Sequence, residues 1–384
     1  MVKRNKYMNV PEIRFKGLDK TWNKKTLDEL VQLNSGMDYK HLCNGNIPVY
    51  GTGGYMLSVN AALSYDKDAI GIGRKGTINK PYILKAPFWT VDTLFYAIPR
   101  KYNNLQFCNC IFQRIDWLKY DESTGVPSLS KNIINSIEVN CAPSYDEQQK
   151  IASYFQSLDS LIQTTSKKLV SLKQIKDASL QSMFPREGET VPKVRFKGFE
   201  GEWEKIPFGS FLKESYERST VENEDILLSS AITGVYLNSE LFGHQRGASN
   251  IGYKKIKKNM LILSTQNLHL GNANVNLRFE HGLISPAYKV YEIVNISPLF
   301  LQQWIKMDST KVFFLNATTA GASLCRKNIV WDDLYKQIVL IPSKNEQVKI
   351  GLFFSNLDKQ ISLQTQRLEK LKQIKAACLD KMFV

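Results

Sequence analysis

The sequence predicts an α+β protein in which two globular domains are separated by an antiparallel pair of long helices, with an internal pseudo-two-fold repeat. Three observations carry this. Val10-Pro11-Glu12-Ile13-Arg14-Phe15-Lys16-Gly17, closed by Trp22, returns 181 residues later as Val191-Pro192-Lys193-Val194-Arg195-Phe196-Lys197-Gly198, closed by Trp203. Asp146-Glu147-Gln148 and the run to Met183-Phe184 return 199 residues later as Asn345-Glu346-Gln347 to Met382-Phe383, with Leu-Lys-Gln-Ile-Lys identical at 172–176 and 371–375. Between these matched ends the two halves differ, so a duplicated frame holds two unlike contents.

The boundaries follow from the frame. Residues 1–143 hold the first conserved segment and the first variable domain, 144–190 a long helix and linker, 191–342 the repeated segment and second variable domain, and 343–384 the second long helix. Inside the variable parts, short strands are expected at 69–72, 94–98, 260–263 and 288–291, with helical patches at 299–307 and 331–336. Pro143-Ser144-Tyr145-Asp146-Glu147 and Pro342-Ser343-Lys344-Asn345-Glu346 each end a β-rich stretch with proline and place Glu three residues after Ser, the capping-box spacing. The apolar stripe then runs through Ile151, Phe155, Leu158, Ile162, Leu169, Leu172 and Ile175, with Thr165 in its one gap, and again through Ile350, Phe354, Leu357, Ile361, Leu368, Leu371 and Ile374. Each run predicts one helix of about 35 to 40 residues, roughly 55 Å long. So long a stripe outruns the face of one domain, and the other copy is its natural antiparallel partner. Segment 185–191, polar and rich in helix breakers, reads as the linker.

Composition points to a polyanionic partner. The chain of 384 residues carries 51 Lys and Arg against 36 Asp and Glu, a formal charge of +15, with 11% aromatics. No apolar run approaches the roughly 20 residues of a membrane span, and Met1–Tyr7 lacks the apolar stretch of a signal peptide, so a cytoplasmic protein is expected. The cysteines at 43, 108, 110, 141, 325 and 378 form no Cys-x-x-Cys and pair with no histidine at ligand spacing, which predicts reduced thiols and no metal.

Gly71-Ile72-Gly73-Arg74-Lys75-Gly76 matches the dinucleotide fingerprint letter by letter, but the next residues, Thr77-Ile78-Asn79-Lys80-Pro81-Tyr82, form turns or strands and not the helix that would hold a pyrophosphate. It reads instead as a tight basic loop in which Gly73 and Gly76 allow close backbone approach to a phosphate or groove and Arg74, Lys75 and Lys80 supply charge towards a nucleic acid, Arg74 with a fork that suits guanine; the alternative is a plain basic hairpin. Asn79-Lys80-Pro81-Tyr82 is one residue away from the adenine pocket of amino-methyltransferases, yet no glycine-rich S-adenosylmethionine loop precedes it. Walker, zincin and nucleophile-elbow motifs are missing, and the histidines at 41, 244, 269 and 281 have no evident partners. In the second half Gln245, Arg246, Ser249, Asn250, Gln266, Asn267, His269, Asn272 and Asn274 offer groups that suit base edges, while Lys254, Lys255, Lys257 and Lys258 can neutralise phosphates.

Together the Val-Pro-x-hydrophobic-Arg-Phe-x-Gly opening, Ile47-Pro48-Val49-Tyr50-Gly51-Thr52-Gly53-Gly54, the loop at 71–76 followed by Trp89-Thr90-Val91-Asp92-Thr93-Leu94-Phe95, and the Glu-Gln…Leu-Asp…Leu-Lys-Gln-Ile-Lys helices resemble the specificity (S) subunit of type I restriction-modification systems. Gly282-Leu283-Ile284-Ser285-Pro286-Ala287-Tyr288 resembles the corresponding segment of another recognition type in that family. The resemblance implies two target recognition domains, each reading half of a split, asymmetric DNA sequence. It implies paired helices, with Phe155, Leu158, Ile162, Leu169, Leu172, Phe354, Leu357, Ile361, Leu368 and Leu371 in the seam, acting as a ruler for the gap. It also implies no catalytic residue in this chain: two modification subunits would carry S-adenosylmethionine, and restriction subunits ATP and Mg. The rival expectations are a self-sufficient DNA adenine methyltransferase or nuclease, and a pure protein-interaction scaffold.

Overall fold

The structure, a computed structural model, describes residues 9–242, 249–323 and 326–384. The chain divides into two units, residues 1–167 with 365–384, and residues 168–364. The first runs through β1 (Asn23–Thr26), α1 (Leu27–Leu30), β2 (Val31–Ser35), the hairpin β3 (Asn44–Gly51) and β4 (Gly54–Val59), then β5 (Ala69–Gly73), β6 (Tyr82–Leu84), β7 (Trp89–Thr90), β8 (Leu94–Pro99), α2 (Leu105–Arg114), α3 (Lys131–Ser136), β9 (Glu138–Cys141) and the long α4 (Tyr145–Met183). The second holds β10 (Glu204–Pro207), β11 (Leu212–Glu214), the hairpin β12 (Leu227–Ala231) and β13 (Gly234–Leu237), α5 (Asn238–Leu241), β14 (Lys254–Lys257), β15 (Leu261–Ser264), β16 (Ala273–Val275), β17 (His281–Ile284), β18 (Tyr288–Ile293), α6 (Pro298–Ile305), α7 (Asp308–Leu315), β19 (Thr318–Ser323), β20 (Arg326–Ile329), α8 (Trp331–Lys336), β21 (Ile338–Ile341) and the long α9 (Lys344–Lys381). The unit boundary falls inside both long helices.

The variable parts, unlike in sequence, share a topology. Unit 1 has a four-stranded sheet ordered β2-β8-β5-β6 and unit 2 one ordered β11-β18-β15-β16. Beside these lie β4-β3-β7 and β13-β12-β17-β14, where hairpin strand β3 pairs in parallel with β7, and β12 in parallel with β17. The two motif segments at 89–95 and 282–288 therefore occupy the same place, the approach to β8 and to β18.

Frame residues close each unit in the same way. Arg14 donates from Nε and Nη2 to the Glu147 carboxylate at 2.7 and 2.8 Å, and Arg195 does so to Glu346 at 2.7 and 2.8 Å. Both glutamates are fully buried. This corrects the capping-box reading: Ser144 Oγ accepts from the Glu147 amide, but the Glu147 side chain turns to Arg14 and to the Trp22 indole instead of its own helix start. The adjacent glutamine has its own fixed task. Gln148 accepts from the amide of Asn104, the N-cap of α2, and Gln347 from the amide of Ser297, the N-cap of α6. Gly351 admits α6 closely, since a Cβ there would lie 2.7 Å from that of Leu299.

The long helices, 39 and 38 residues, pair antiparallel within each unit. In unit 1 Lys375 Nζ reaches Asp159 at 2.6 Å and Tyr154 meets Cys378, while Phe383 inserts among Trp22, Phe107 and Phe155. In unit 2 Lys176 Nζ reaches Asp358 at 2.5 Å, and Phe184 inserts among Trp203, Phe300 and Phe354. The duplicated Leu-Asp and Leu-Lys-Gln-Ile-Lys motifs are thus the two ends of one ion pair. Phe155, Leu158 and Leu371 lie in the core of unit 1, and Leu172, Phe354, Leu357 and Ile361 in that of unit 2. Leu169 and Leu368 are buried and Ile162 is half-buried, but Ile175, 49% exposed, leaves the stripe.

Candidate nucleic-acid interface

The basic loop of unit 1 is built by the strand before it. β5 is buried along its length, and Gly73 ends it where a Cβ would lie 2.1 Å from the Thr77 carbonyl oxygen, so only glycine fits this turn. Gly76 has φ +93° and its amide donates to the Pro127 carbonyl. No helix follows, in agreement with the rejection of a dinucleotide loop. Arg74 is exposed; its guanidinium makes one long bond of 3.4 Å to the Asp92 carbonyl and lies 5.9 Å from the Phe95 ring centre. Lys75 and Lys80 are exposed, with no ion-pair partner among the described residues. Tyr82 is fixed, its hydroxyl donating to the Gly51 carbonyl at 2.7 Å, which gives Asn79-Lys80-Pro81-Tyr82 a structural role.

Strand register shows what corresponds to this loop in unit 2. Gly73 pairs with Leu94 at the end of β5, and Ser264 with Tyr288 at the end of β15. Arg74, Lys75 and Gly76 therefore match Thr265, Gln266 and Asn267. Backbone bonds agree: the Arg74 amide donates to Thr93 just before β8, and the Thr265 amide to Ala287 just before β18. Residues chosen from the sequence on unrelated grounds thus fall at one place in the fold. Gln266 is exposed and Asn267 half-buried.

Other second-half candidates depart from expectation. Lys254 is buried, 6% exposed, with its ammonium 3.9 Å from Glu214, and burial holds its pKa below the usual lysine range. It is not a phosphate contact in this conformation. Lys255, Lys257 and Lys258 pair with Glu224, Glu217 and Glu280. Asn250, Asn272 and Asn274 are buried and bind inward: Asn250 to Asn223, Asn272 to Ser230, and Asn274 to Ser230 and the Ala231 carbonyl. His269 is buried, and His281, against expectation, has a partner, Asp225, at 2.6 Å. Gln245 and Arg246 lie outside the described residues. Burial is what the sequence could not display, since an Asn-rich loop reads alike whether solvated or folded inward.

Each unit also carries a hairpin tip: Thr52-Gly53 between β3 and β4, and Ile232-Thr233 between β12 and β13. Among the described residues no group of three or more His, Cys, Asp and Glu is placed to hold a metal, and no helix is long and apolar enough to cross a membrane.

Residues 19–174 match the family described as type I restriction modification DNA specificity domain. Residues 19–174 therefore carry the likeness to a type I restriction-modification DNA specificity domain. Over nearly its whole length the chain has the fold of the type-I restriction-modification S subunit from M. genitalium, at 16% identity and a TM-score of 0.65, covering 98% of this chain and 99% of that one. The HsdS subunit from Thermoanaerobacter tengcongensis superposes less closely, at 15% identity and a TM-score of 0.42 over 95% of this chain and 97% of that one. No curated protein matches the sequence. The family match ends inside α4, and the strand order common to both units extends the likeness to the second.

Proposed function

We propose that this chain is the sequence-reading, non-catalytic subunit of a type I restriction-modification complex, in which unit 1 reads one half of a split, asymmetric target in double-stranded DNA and unit 2 the other. The observation that carries it is the matched pair of loops: one scaffold position bears Arg74-Lys75-Gly76 in unit 1 and Thr265-Gln266-Asn267 in unit 2. A guanidinium and an ammonium in one half and an amide pair in the other are what two unlike half-sites require. The net charge of +15 supplies the sequence-independent attraction. The long helices, duplicated down to their interhelical ion pairs, serve as the docking site for two modification subunits and set the gap between half-sites. S-adenosylmethionine, ATP and Mg belong to the modification and restriction partners, and the complex works in the cytoplasm.

The test is to map methylated adenines across the source genome with this locus intact and deleted. A two-part motif with a fixed gap, present only with the locus, is the expected result. Its absence, or methyl transfer by the purified chain alone, overturns the proposal.

A further inference from the structure

The hairpin tips have no part in the sequence motifs chosen as DNA contacts, yet the structure ties each of them to the reading loop of its unit. In unit 1 Gly51 pairs with Gly54 across a two-residue turn, and Gly54 takes φ +109°, a conformation that favours glycine. A Cβ on Gly76 would lie 3.8 Å from the Thr52 hydroxyl, so the tip lies beside the basic loop. Tyr82 holds the tip from below through the Gly51 carbonyl, and its ring continues through Tyr50 to Tyr55, which is 63% exposed.

Unit 2 repeats the arrangement with other residues. Ala231 pairs with Gly234 across Ile232-Thr233, and Gly234 again has positive φ. Here the pins include Asn274, a buried amide expected from the sequence to face DNA. Asn274 donates to the Ala231 carbonyl at 2.7 Å, Tyr288 to the Ser230 carbonyl at 2.9 Å, and Lys306 Nζ to the Ile232 carbonyl at 2.7 Å. Asn272, which accepts from Ser230, in turn bonds through its own carbonyl to the Ser264 amide at the base of the Gln266 loop. The tip itself faces outward, with Ile232 half exposed.

In unit 2 three groups hold the turn and its flank from inside while the Ile232 side chain faces water, and in unit 1 Tyr82 holds the equivalent turn, an unusual expense of polar groups for a solvated loop. From this double occurrence we infer that the hairpin tips are a second base-reading element of each half-site, Thr52 and Tyr55 in unit 1 and Ile232 and Thr233 in unit 2. Their chemistry suits groove edges: a threonine hydroxyl meets either base type, and an exposed apolar group meets the thymine methyl. Asn274, Tyr288 and Lys306 are positioning residues that hold the unit 2 tip. The inference rests on the DNA-reading role proposed above.

The experiment uses the full chain assembled with its modification subunits and maps methylated adenines for wild type, Thr52→Ala, Tyr55→Ala, Ile232→Ala and Lys306→Met, with thermal melting as the check on folding. Thr52→Ala and Tyr55→Ala should relax one or two base positions in one half of the motif, with about tenfold weaker binding to the cognate site. Ile232→Ala and Lys306→Met should do so in the other half only. An unchanged motif in these variants, or an equal loss on all DNA sequences, overturns the inference while leaving the wild-type motif, and so the reading role, standing. A wild-type complex without any motif overturns both.

Discussion

The Lys375 ammonium lies 2.6 Å from the Asp159 carboxylate on the other long helix, and the same pair of motif positions recurs as Lys176 with Asp358. Both groups of the first pair are partly exposed, so solvent screening limits its worth to about 1 kcal/mol. A double-mutant cycle with Lys375→Met and Asp159→Asn, read by urea unfolding, should give a coupling near that value and smaller in high salt. A coupling of zero would mean that the apolar seam alone registers the helices.

Burial makes the Arg14–Glu147 pair a different case. Glu147 is 1% exposed and accepts two arginine bonds and the Trp22 indole, so Glu147→Gln leaves a buried guanidinium without its counter-charge. The expected loss is about 3–5 kcal/mol. Glu346→Gln should cost a similar amount, since Arg195 holds the equivalent carboxylate in the same bidentate way. Urea midpoints of the two variants check this, and a loss under about 1 kcal/mol in both would show that the frame motif is not a structural clamp.

The helices and this clamp were differently legible in the sequence. A stripe repeating over about ten turns fixes a helix by periodicity alone, and strands 69–72, 94–98, 260–263 and 288–291 emerge near their expected bounds because short β-rich runs end at turn residues. Long-range partners leave no such local trace. Ser144 and Glu147 have capping-box spacing, yet a guanidinium from 133 residues away takes the carboxylate. The loops at 74–76 and 265–267 stand out in the sequence by charge and amide content, but their equivalence appears only when strand register sets Gly73 against Ser264.

Lys306 should give stability an unusual pH response. Burial, with Lys176 adding repulsion, brings its pKa down to about 8, below the roughly 10.4 of an unfolded lysine. Between these values the unfolded chain binds more protons than the folded one, so this group's contribution to stability rises as pH goes from about 8 to about 10.5. Buried thiols act the opposite way: Cys110 and Cys141 are pushed up to about 12 and about 11 by burial, so they lose stability above the ordinary thiol pKa. The comparison of wild type with Lys306→Met isolates the lysine. Their stability difference should drift in favour of wild type from about pH 8 to about pH 10, and a constant difference would contradict it.

Arg74 and Lys75 are neighbours with different expected tasks. Arg74 can fork onto a guanine edge, so Arg74→Ala should weaken binding to the cognate site by about 1–3 kcal/mol and relax one position of one half-site. Lys75, a point charge beside Gly76, suits a phosphate. Lys75→Ala should weaken all sequences alike and reduce the slope of log affinity against log salt by about 1. Salt titrations of the assembled complex on cognate and scrambled duplexes separate the two outcomes. If Arg74→Ala lowers both duplexes equally and flattens the salt slope, the arginine is a backbone contact, and base discrimination in unit 1 falls to the hairpin tip beside it.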